Sequence, residues 1–236
     1  PMSHTDDEGV IRAVLDPNAV VKLDEAAFQR MEPGTPLFIG AARPVIERLA
    51  ARYRVRLIRL AEQDEIAILN SIPTAEGAIW RAMAERETTI HGSACAVLGF
   101  GRCGVTLARM LHCLGADVTV AARNPAQLAR AYEMGIGAIA LHDLGALLPS
   151  VDIVFNTIPA MVLTPPLLSR LPAGALVIDI ATAPGGTDFA AAAKLGVRAF
   201  LELGIPGRIA PRTAGEILAR TVPRLIAEAL TRGRDR

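Results

Sequence analysis

Three glycines, spaced as in sites that hold phosphate groups, are the most informative residues of the chain. Gly99, Gly101 and Gly104 form a Gly-x-Gly-x-x-Gly motif that follows the apolar segment 94–98 and opens a helical segment. In such a motif the first glycine permits a tight turn, the second lets the backbone approach a pyrophosphate, and the third lets the helix pack close to the sheet. The start of the helix favours the negative charge. The motif therefore predicts a dinucleotide site, and a βα turn without a ligand is the alternative.

The next predicted strand ends without an acidic residue, which bears on the choice of cofactor. Enzymes that use NAD usually place Asp or Glu there, where it binds the ribose hydroxyls. In this chain Ala121 and Ala122 occupy the place, followed by Arg123 and Asn124. No carboxylate would repel a 2′-phosphate, and the Arg123 guanidinium can pair with one. The pattern predicts NADP, while a solvated Arg123 and an Asn124 that only caps a helix form the simpler alternative.

Segments rich in glycine and proline follow three further predicted strands. They are residues 156–159, 181–186 and 204–213. Ligands of open α/β sheets bind at the carboxyl ends of the strands, where these segments lie. Turn formation explains any one of them, but three on one rim favour a binding site. Arg212, beside Thr213 as a predicted helix cap, is a candidate for holding a carboxylate, and a surface arginine is the alternative.

Few titratable residues are placed for proton transfer. His91 immediately precedes the first strand of the dinucleotide segment and is the best-placed histidine, with a hinge residue bonded to backbone as the alternative. Asp179 ends a predicted strand, where it either polarises a neighbour or caps a loop. His91 and Glu76 are the predicted catalytic residues, and the proton acceptor is left unassigned.

Strand-like and helical segments alternate regularly between residues 92 and 204. This rhythm predicts an α/β fold with a doubly wound parallel (Rossmann) sheet and right-handed crossovers. Asn124-Pro125-Ala-Gln127 predicts a helix start, in which Asn124 caps the helix and Gln127 is able to reach back. The strands are predicted at residues 94–99, 117–122, 137–140, 151–156, 175–180 and 197–201.

The flanking residues predict an incomplete N-terminal α/β domain and a returning C-terminal helix. A helix is expected to open at residues 70–77 and to run to about Glu87. Thr213-Ala-Gly-Glu216 has the form of a capping box and predicts a last helix over about 213–231. The predicted domains are 1–90, on the substrate side; 91–210, which binds the cofactor; and 211–236, which packs back on the first.

The composition narrows the classes of function. Lys plus Arg number 25 and Asp plus Glu 24, for a formal net charge of +1, so nucleic-acid binding is not expected. No apolar run approaches the roughly 18 residues of a membrane span, and no signal peptide is visible. The three cysteines, Cys95, Cys103 and Cys113, match neither a zinc pattern nor a disulfide framework, so a reducing cytoplasm is expected.

Several short segments together form a specific combination. They are Asn70-Ser-Ile-Pro-Thr-Ala-Glu-Gly77, His91-Gly-Ser93, Gly99–Gly104, Asn156-Thr-Ile-Pro159, Pro184-Gly-Gly-Thr-Asp-Phe189, and Gly204-Ile-Pro-Gly207 with Ala210-Pro-Arg-Thr-Ala-Gly215. In these segments, and over about residues 1–230, the chain resembles the A subunit of dipicolinate synthase.

The resemblance implies a reaction and a partner. The family is implied to oxidise a dihydrodipicolinate of the lysine pathway to dipicolinate for bacterial spores, with NADP as the hydride acceptor and the flavoprotein-like B subunit of dipicolinate synthase as partner. It implies a cytoplasmic protein on the mother-cell side of sporulation, a small dicarboxylate substrate and a homo-oligomer. Family members begin with a further strand–helix–strand segment, which fits an incomplete first domain and a chain that begins at Pro1 rather than Met.

The resemblance also assigns residues. Its Asn-Ser-Ile-Pro-Thr motif carries over to residues 70–74, which are expected to share a cleft between two domains with residues 156–159 and 204–213. The family often has Lys at the position of Arg212, and either residue supplies a cation. The family's cofactor residues carry over to Gly99, Gly101, Arg102 and Gly104. From the residues and the resemblance together, the predicted cofactor residues are Gly99, Gly101, Arg102, Cys103, Gly104, Arg123, Asn124, Thr157 and Pro159; the predicted substrate residues are Asn70, Ser71, Thr74, Arg212 and Thr213. No metal site is expected.

Two other functions stay open on the sequence. An NADP-dependent dehydrogenase of the hydroxy-acid or shikimate type needs a His–carboxylate or Lys–Asp pair, and no clear pair is visible. A non-catalytic, nucleotide-binding regulatory protein is compatible with the small number of acid and base residues.

Overall fold

A computed structural model describes residues 5–12 and 18–231 of the chain. The α-helices are α1 Glu25–Gln29, α2 Pro44–Arg52, α3 Asp64–Glu85, α4 Arg102–Cys113, α5 Pro125–Glu133, α6 Leu144–Leu147, α7 Pro165–Leu168, α8 Phe189–Lys194, α9 Ile205–Ile209 and α10 Pro211–Thr231. The strands are β1 Val10–Arg12, β2 Val20–Lys22, β3 Pro36–Ile39, β4 Arg56–Arg59, β5 Ala94–Leu98, β6 Asp117–Ala122, β7 Gly137–Ala140, β8 Ile153–Asn156, β9 Leu176–Asp179 and β10 Arg198–Leu201.

The described residues divide into two compact units. The larger is continuous, Asn70–Ala214, and the smaller combines the residues on either side, within Pro1–Leu69 and Gly215–Arg236. The chain therefore passes between the units within α3 and again within α10. In the ranges 5–12 and 18–231, no helix combines the length and apolarity that crossing a bilayer requires.

The larger unit is built on six parallel strands in the order β7-β6-β5-β8-β9-β10. Numbered from β5, this is the 3-2-1-4-5-6 order of a dinucleotide-binding sheet, with its switch point between β5 and β8. All six strands lie where the sequence predicts them, and the predicted α/β, doubly wound class is confirmed.

Apolar side chains cover both faces of this sheet, because successive residues of a strand point to opposite sides. On one face Val97 and Phe155 pack with Leu107 and Leu111 of α4 and with the alanines of α3. On the other face the core contains Leu98, Val154, Val177, Leu144, Leu148 and Leu168. The carboxyl ends of β5, β6 and β8 are thereby held rigidly at one edge.

The smaller unit has its own core around a parallel pair of strands, β3 and β4. Phe28, Ile39, Ile46, Ala50 and Val55 form this core, and β1 and β2 form a separate antiparallel pair. The part of α10 in this unit is tied to it by an ion pair between Arg224 and Glu65 and by a hydrogen bond from Arg56 to the carbonyl of Ala229.

Two helix starts differ from the sequence prediction. Helix α3 begins at Asp64 rather than near residue 70, and Pro73 lies inside it. The proline therefore does not mark the first turn, and the acidic Asp64 and Glu65 occupy the N-terminal position that the helix dipole favours. Helix α10 begins at Pro211, so Thr213 lies in its first turn and is not the cap that the sequence suggested.

Candidate functional site

The turn after β5 has the backbone shape that the glycine motif predicts. Gly99 has a φ of +89°, and a Cβ atom there would lie 2.6 Å from Thr157 Oγ1. A Cβ atom on Gly104 would lie 2.1 Å from the carbonyl oxygen of Gly99, so only glycine lets α4 come this close to the strand. By contrast, a Cβ atom on Gly101 would meet nothing within 4 Å. The backbone at Gly101 therefore borders open space, as a bound pyrophosphate requires.

A cavity of about 430 Å³ opens over this turn at the carboxyl ends of β5, β6 and β8. Its position is the one at which open α/β sheets bind ligands. Of the predicted cofactor residues, Arg102, Cys103 and Gly104 do not line it: they form the first turn of α4, and Gly104 packs behind the loop. The cavity is lined by Gly99, Phe100, Gly101, Ala122, Arg123, Asn124, Gln127, Thr157, Ile158 and Pro159.

At one end of the cavity the lining residues carry a cation and no carboxylate. Ala122 ends β6 and is buried, whereas Arg123 is exposed. Asn124 Oδ1 accepts a hydrogen bond of 2.9 Å from the backbone N–H of Ala126, which confirms Asn124 as the cap of α5. Asp117 lies at the opposite end of β6. This end of the cavity therefore presents a guanidinium and an amide, and no carboxylate.

The opposite wall is fixed by hydrogen bonds from the end of β8. Thr157 Oγ1 donates to the carbonyl of Leu98 over 2.8 Å. The buried Asn156 side chain accepts from the N–H of Ile158 and donates to its carbonyl, at 3.1 Å each. These bonds hold Thr157, Ile158 and Pro159 rigid against β5, so a bound dinucleotide would meet a preformed surface.

Comparison with known proteins identifies the family. The sequence model described as "D-isomer specific 2-hydroxyacid dehydrogenase, NAD binding domain" matches residues 68–184. The model that describes the N-terminal domain of the dipicolinate synthase A subunit matches residues 1–61. The A subunit of dipicolinate synthase from Bacillus subtilis (strain 168) is 44% identical over 228 residues, which are 97% of this chain and 76% of that protein. The chain belongs to the family of dipicolinate synthase A subunits.

Solved structures of the family agree. The chain resembles the crystal structure of dipicolinate synthase, A chain, from Bacillus subtilis with a TM-score of 0.93 and 43% identity, covering 98% of this chain and 78% of that one. For the A subunit of dipicolinate synthase from Bacillus halodurans the TM-score is 0.91 and the identity 40%, with coverages of 94% and 76%. The dehydrogenase domain places the chain among oxidoreductases that use a nicotinamide cofactor, and the glycine loop and the cavity fit such a group.

In this family member the structure places His91 away from the cavity, so it is not brought together with the predicted cofactor residues. His91 is exposed and lies against Gly115, where a Cβ atom would be 2.2 Å from His91 Nδ1. Both residues are at the amino-terminal edge of the sheet, because Gly92 donates to the carbonyl of Gly115 just before β5 and β6 begin. The length of β5, roughly 16 Å at about 3.3 Å per residue, separates His91 from Gly99.

Asp179 braces a loop, which is the simpler of its two expected roles. The side chain is completely buried and accepts hydrogen bonds from the N–H groups of Ala181 and Gly186 and from Thr187 Oγ1, at 2.8 to 3.0 Å. The carbonyl of Gly186 in turn accepts from the N–H groups of Val162 and Leu163. Asp179 therefore shapes residues 180–187, and through them the segment that follows the cavity wall.

The predicted substrate residues on α3 lie beside α4, the helix that follows the glycine loop. The hydroxyl of the buried Ser71 is 2.6 Å from Thr106 Oγ1. Thr74 Oγ1 donates to the carbonyl of Asn70 over 2.7 Å. Asn70 Oδ1 is buried and has no hydrogen-bond partner among the described residues. Glu76 is exposed and does not line the cavity, so the structure does not bring this second catalytic candidate to the cofactor loop.

The expected loop at residues 204–213 is largely helical. Gly204, with a φ of +63°, leads into the short helix α9, which packs against α3: a Cβ atom on Gly77 would lie 2.2 Å from Ile205 Cγ2. Arg212 and Thr213 follow in the first turn of α10, where both are exposed. Neither lines the cavity at the glycine loop.

A charged cluster that the sequence analysis missed also fixes α9. Glu202 is only 9% exposed; its Oε1 pairs with Arg81 Nε at 3.1 Å and its Oε2 with Arg208 Nη1 at 2.9 Å. Arg81 also stacks on the ring of Phe200, 4.1 Å from the centroid. No local pattern signals this cluster, because its members are brought together only by the packing of α3, β10 and α9.

The cysteines of the sheet and the glycine loop are unsuited to thiolate chemistry. Burial, reinforced by the nearby charge of Asp152, raises the pKa of the Cys95 thiol to about 12. Burial likewise raises the pKa of Cys103 in the first turn of α4. Both side chains are therefore neutral thiols at physiological pH. No group of three or more metal-ligating side chains occurs in the part of the chain that the structure describes.

Proposed function

We propose that the protein is the dehydrogenase subunit of a dipicolinate synthase, and that it oxidises a dihydrodipicolinate to dipicolinate with NADP. The observation that carries the proposal is the cavity at the glycine loop, in a chain of this family, with Arg123 and no carboxylate at its ribose end. The reaction removes one hydride and one proton from the dihydropyridine ring. NADP supplies the hydride acceptor when bound.

The residues of the chain contribute binding and orientation. The backbone at Gly101 and the start of α4 hold the pyrophosphate, because free N–H groups and the helix dipole favour negative charge there. The Arg123 guanidinium pairs with the 2′-phosphate. The rigid wall from Thr157 to Pro159 limits how far the bound dinucleotide can move. These contacts orient the nicotinamide ring of the cofactor for hydride transfer.

Substrate binding is proposed for Asn70, Ser71, Thr74, Arg212 and Thr213. A planar dicarboxylate in a partly closed site needs compensating charge and donors, because unpaired buried carboxylates are unfavourable. Arg212 supplies the cation, and it is exposed at the start of α10. Asn70 supplies a polar side chain whose Oδ1 has no hydrogen-bond partner among the described residues.

The NADP part of the proposal is tested by calorimetry with NADPH and NADH. We expect NADPH to bind more tightly, and Arg123→Ala to remove the preference at a loss of about 1–3 kcal/mol, as for a charge-assisted phosphate contact. Arg130→Ala is the matched control, because Arg130 is an exposed arginine on α5 that pairs with Glu133 and does not line the cavity. Equal affinities for the two cofactors in the unaltered protein would refute the choice of NADP.

The partner is proposed to be a flavoprotein-like B subunit, since the Bacillus subtilis relative is named as one subunit of a synthase. A turnover assay that follows NADPH formation, with and without this partner, tests the reaction and the partnership together. Turnover only with both proteins supports the proposal. Cofactor binding without turnover in either case indicates a non-catalytic nucleotide-binding role. Light scattering on the chain alone tests whether it forms a homo-oligomer.

A hydroxy-acid dehydrogenase is a second candidate, because the NAD-binding model that matches residues 68–184 is described by that reaction. Such an enzyme needs an acid–base pair beside the nicotinamide. Among the described residues, His142 pairs with Asp143 at 3.5 Å, but both side chains are largely exposed and neither lines the cofactor cavity. Oxidation of simple 2-hydroxy acids, in preference to the dihydropyridine, would establish this alternative.

A further inference from the structure

The first turn of α5 has already used the N–H groups that a phosphate would otherwise bind. Pro125 has no N–H, and the N–H of Ala126 donates to Asn124 Oδ1. The N–H groups of Gln127 and Leu128 donate to the carbonyl of Asn124, at 3.0 and 3.2 Å. A phosphate at this end of the cavity must therefore be held by side chains rather than by the helix start.

The side chain of Gln127 is placed to bind such a phosphate. It lies one turn beyond Arg123, is half-buried and lines the cavity together with Arg123 and Asn124. The sequence suggested that its amide reaches back to cap the helix, but among the described residues the Gln127 side chain makes no hydrogen bond. The capping is done by Asn124 instead, which leaves the Gln127 amide facing a site for an anion.

A bound 2′-phosphate would carry more negative charge than the single guanidinium in the cavity neutralises, so a further donor such as the Gln127 amide would help to hold it. A phosphate monoester carries between one and two negative charges at neutral pH, and Arg123 is the only cation among the residues that line the cavity. We infer that Gln127 is a specificity-determining residue whose Nε2 donates to the 2′-phosphate beside the Arg123 guanidinium. This inference rests on the proposed NADP dependence and deepens it. The Gln127 amide is a neutral donor, so it adds affinity for the phosphate without repelling any other part of the cofactor.

Three substitutions of Gln127 test the inference through dissociation constants measured by calorimetry for NADPH and NADH. Gln127→Glu keeps the shape but sets a carboxylate against the phosphate, so NADPH binding should weaken by at least about 10-fold. Gln127→Met removes the donor alone and should weaken NADPH binding by about 3-fold. Gln127→Lys adds a cation and should tighten it by about 3-fold or more. The affinity for NADH should stay within about 2-fold throughout, which also reports that the fold is intact.

Tyr132→Glu is the control for long-range charge, because Tyr132 is 82% exposed on the same helix and does not line the cavity. It should leave the ratio of the two affinities unchanged. If the unaltered protein prefers NADPH but Gln127→Glu leaves that preference intact, or lowers it no more than Tyr132→Glu does, the role of Gln127 is overturned while the NADP proposal stands. If the unaltered protein prefers NADH, both are overturned.

Discussion

The glycine loop and the contact between α3 and α9 both depend on a glycine with no room for a side chain, but different atoms oppose it. At Gly104 the obstacle is the carbonyl oxygen of Gly99, a backbone atom of the turn after β5, and this turn is tied to β6 by the hydrogen bond from Gly99 N–H to the carbonyl of Ala121. At Gly77 the obstacle is the Cγ2 methyl of Ile205, which belongs to a side chain on a short helix. Two contacts of nearly equal length can therefore differ in rigidity, because a side chain can move or be shortened by mutation, whereas the backbone of the turn cannot.

Gly104→Ala should have the largest effect. The added methyl group meets backbone at a distance that allows no relief, so we expect a loss of about 3 kcal/mol in the free energy of unfolding, at the upper end for overpacking. Urea unfolding measures it. Gly207→Ala is the matched control, because Gly207 lies in the helix α9 of the same unit and a Cβ atom there meets nothing within 4 Å. A loss of stability no greater than that of Gly207→Ala would show that the loop can shift to accommodate the methyl group.

Gly101→Val separates binding from stability at the same loop. The φ of Gly101 is −88° and a Cβ atom there is unobstructed, so the fold should tolerate the change. The branched side chain would occupy the place of the pyrophosphate, and NADPH binding should weaken by about 100-fold or more. Calorimetry and urea unfolding together test this. An unchanged dissociation constant would contradict the assignment of this loop to the cofactor.

Gly77→Ala should cost less than Gly104→Ala, about 1–2 kcal/mol, because the opposing methyl group can shift. The double variant Gly77→Ala with Ile205→Ala removes that methyl group. We expect its loss of stability to be smaller than the sum of the two single losses, which a double-mutant cycle of unfolding free energies would reveal. Strict additivity would mean that the two residues are not coupled.

Arg212→Ala should have the smallest effect on stability and a selective effect on substrate. If Arg212 binds a substrate carboxylate, dipicolinate binding weakens by about 10-fold, as for a lost charge-assisted hydrogen bond, while NADPH affinity changes by no more than about 2-fold. Arg220→Ala, an exposed arginine two turns further along α10, is the control. A lowered melting temperature with normal dipicolinate affinity would show that Arg212 stabilises the helix instead.

Features with a local cause were predictable. The six strands of the large sheet follow from runs of apolar residues, and the Asn-Pro pattern predicts Asn124 as a cap because the side-chain partner is an N–H only two residues away. Features that depend on contact with a segment distant in sequence were not predictable. His91 is close in sequence to β5, but a residue that precedes a strand lies at the edge of the sheet opposite the cavity. The role of Glu202 has no local signal, because its two arginine partners come from separate helices, one of them distant in sequence.

The sequence by itself determined the fold class, the glycine turn and the absence of a carboxylate after β6, because each depends on residues within one strand–turn–helix unit. Only the tertiary structure decided that Gly77 receives Ile205, that Asp179 braces a loop, and that Gln127 lines the cavity instead of capping its helix. The physical reason is the range of the interactions. Backbone conformation and capping are set by neighbours in the chain, whereas close packing and buried charge pairs are set by whichever segment the completed sheet brings alongside.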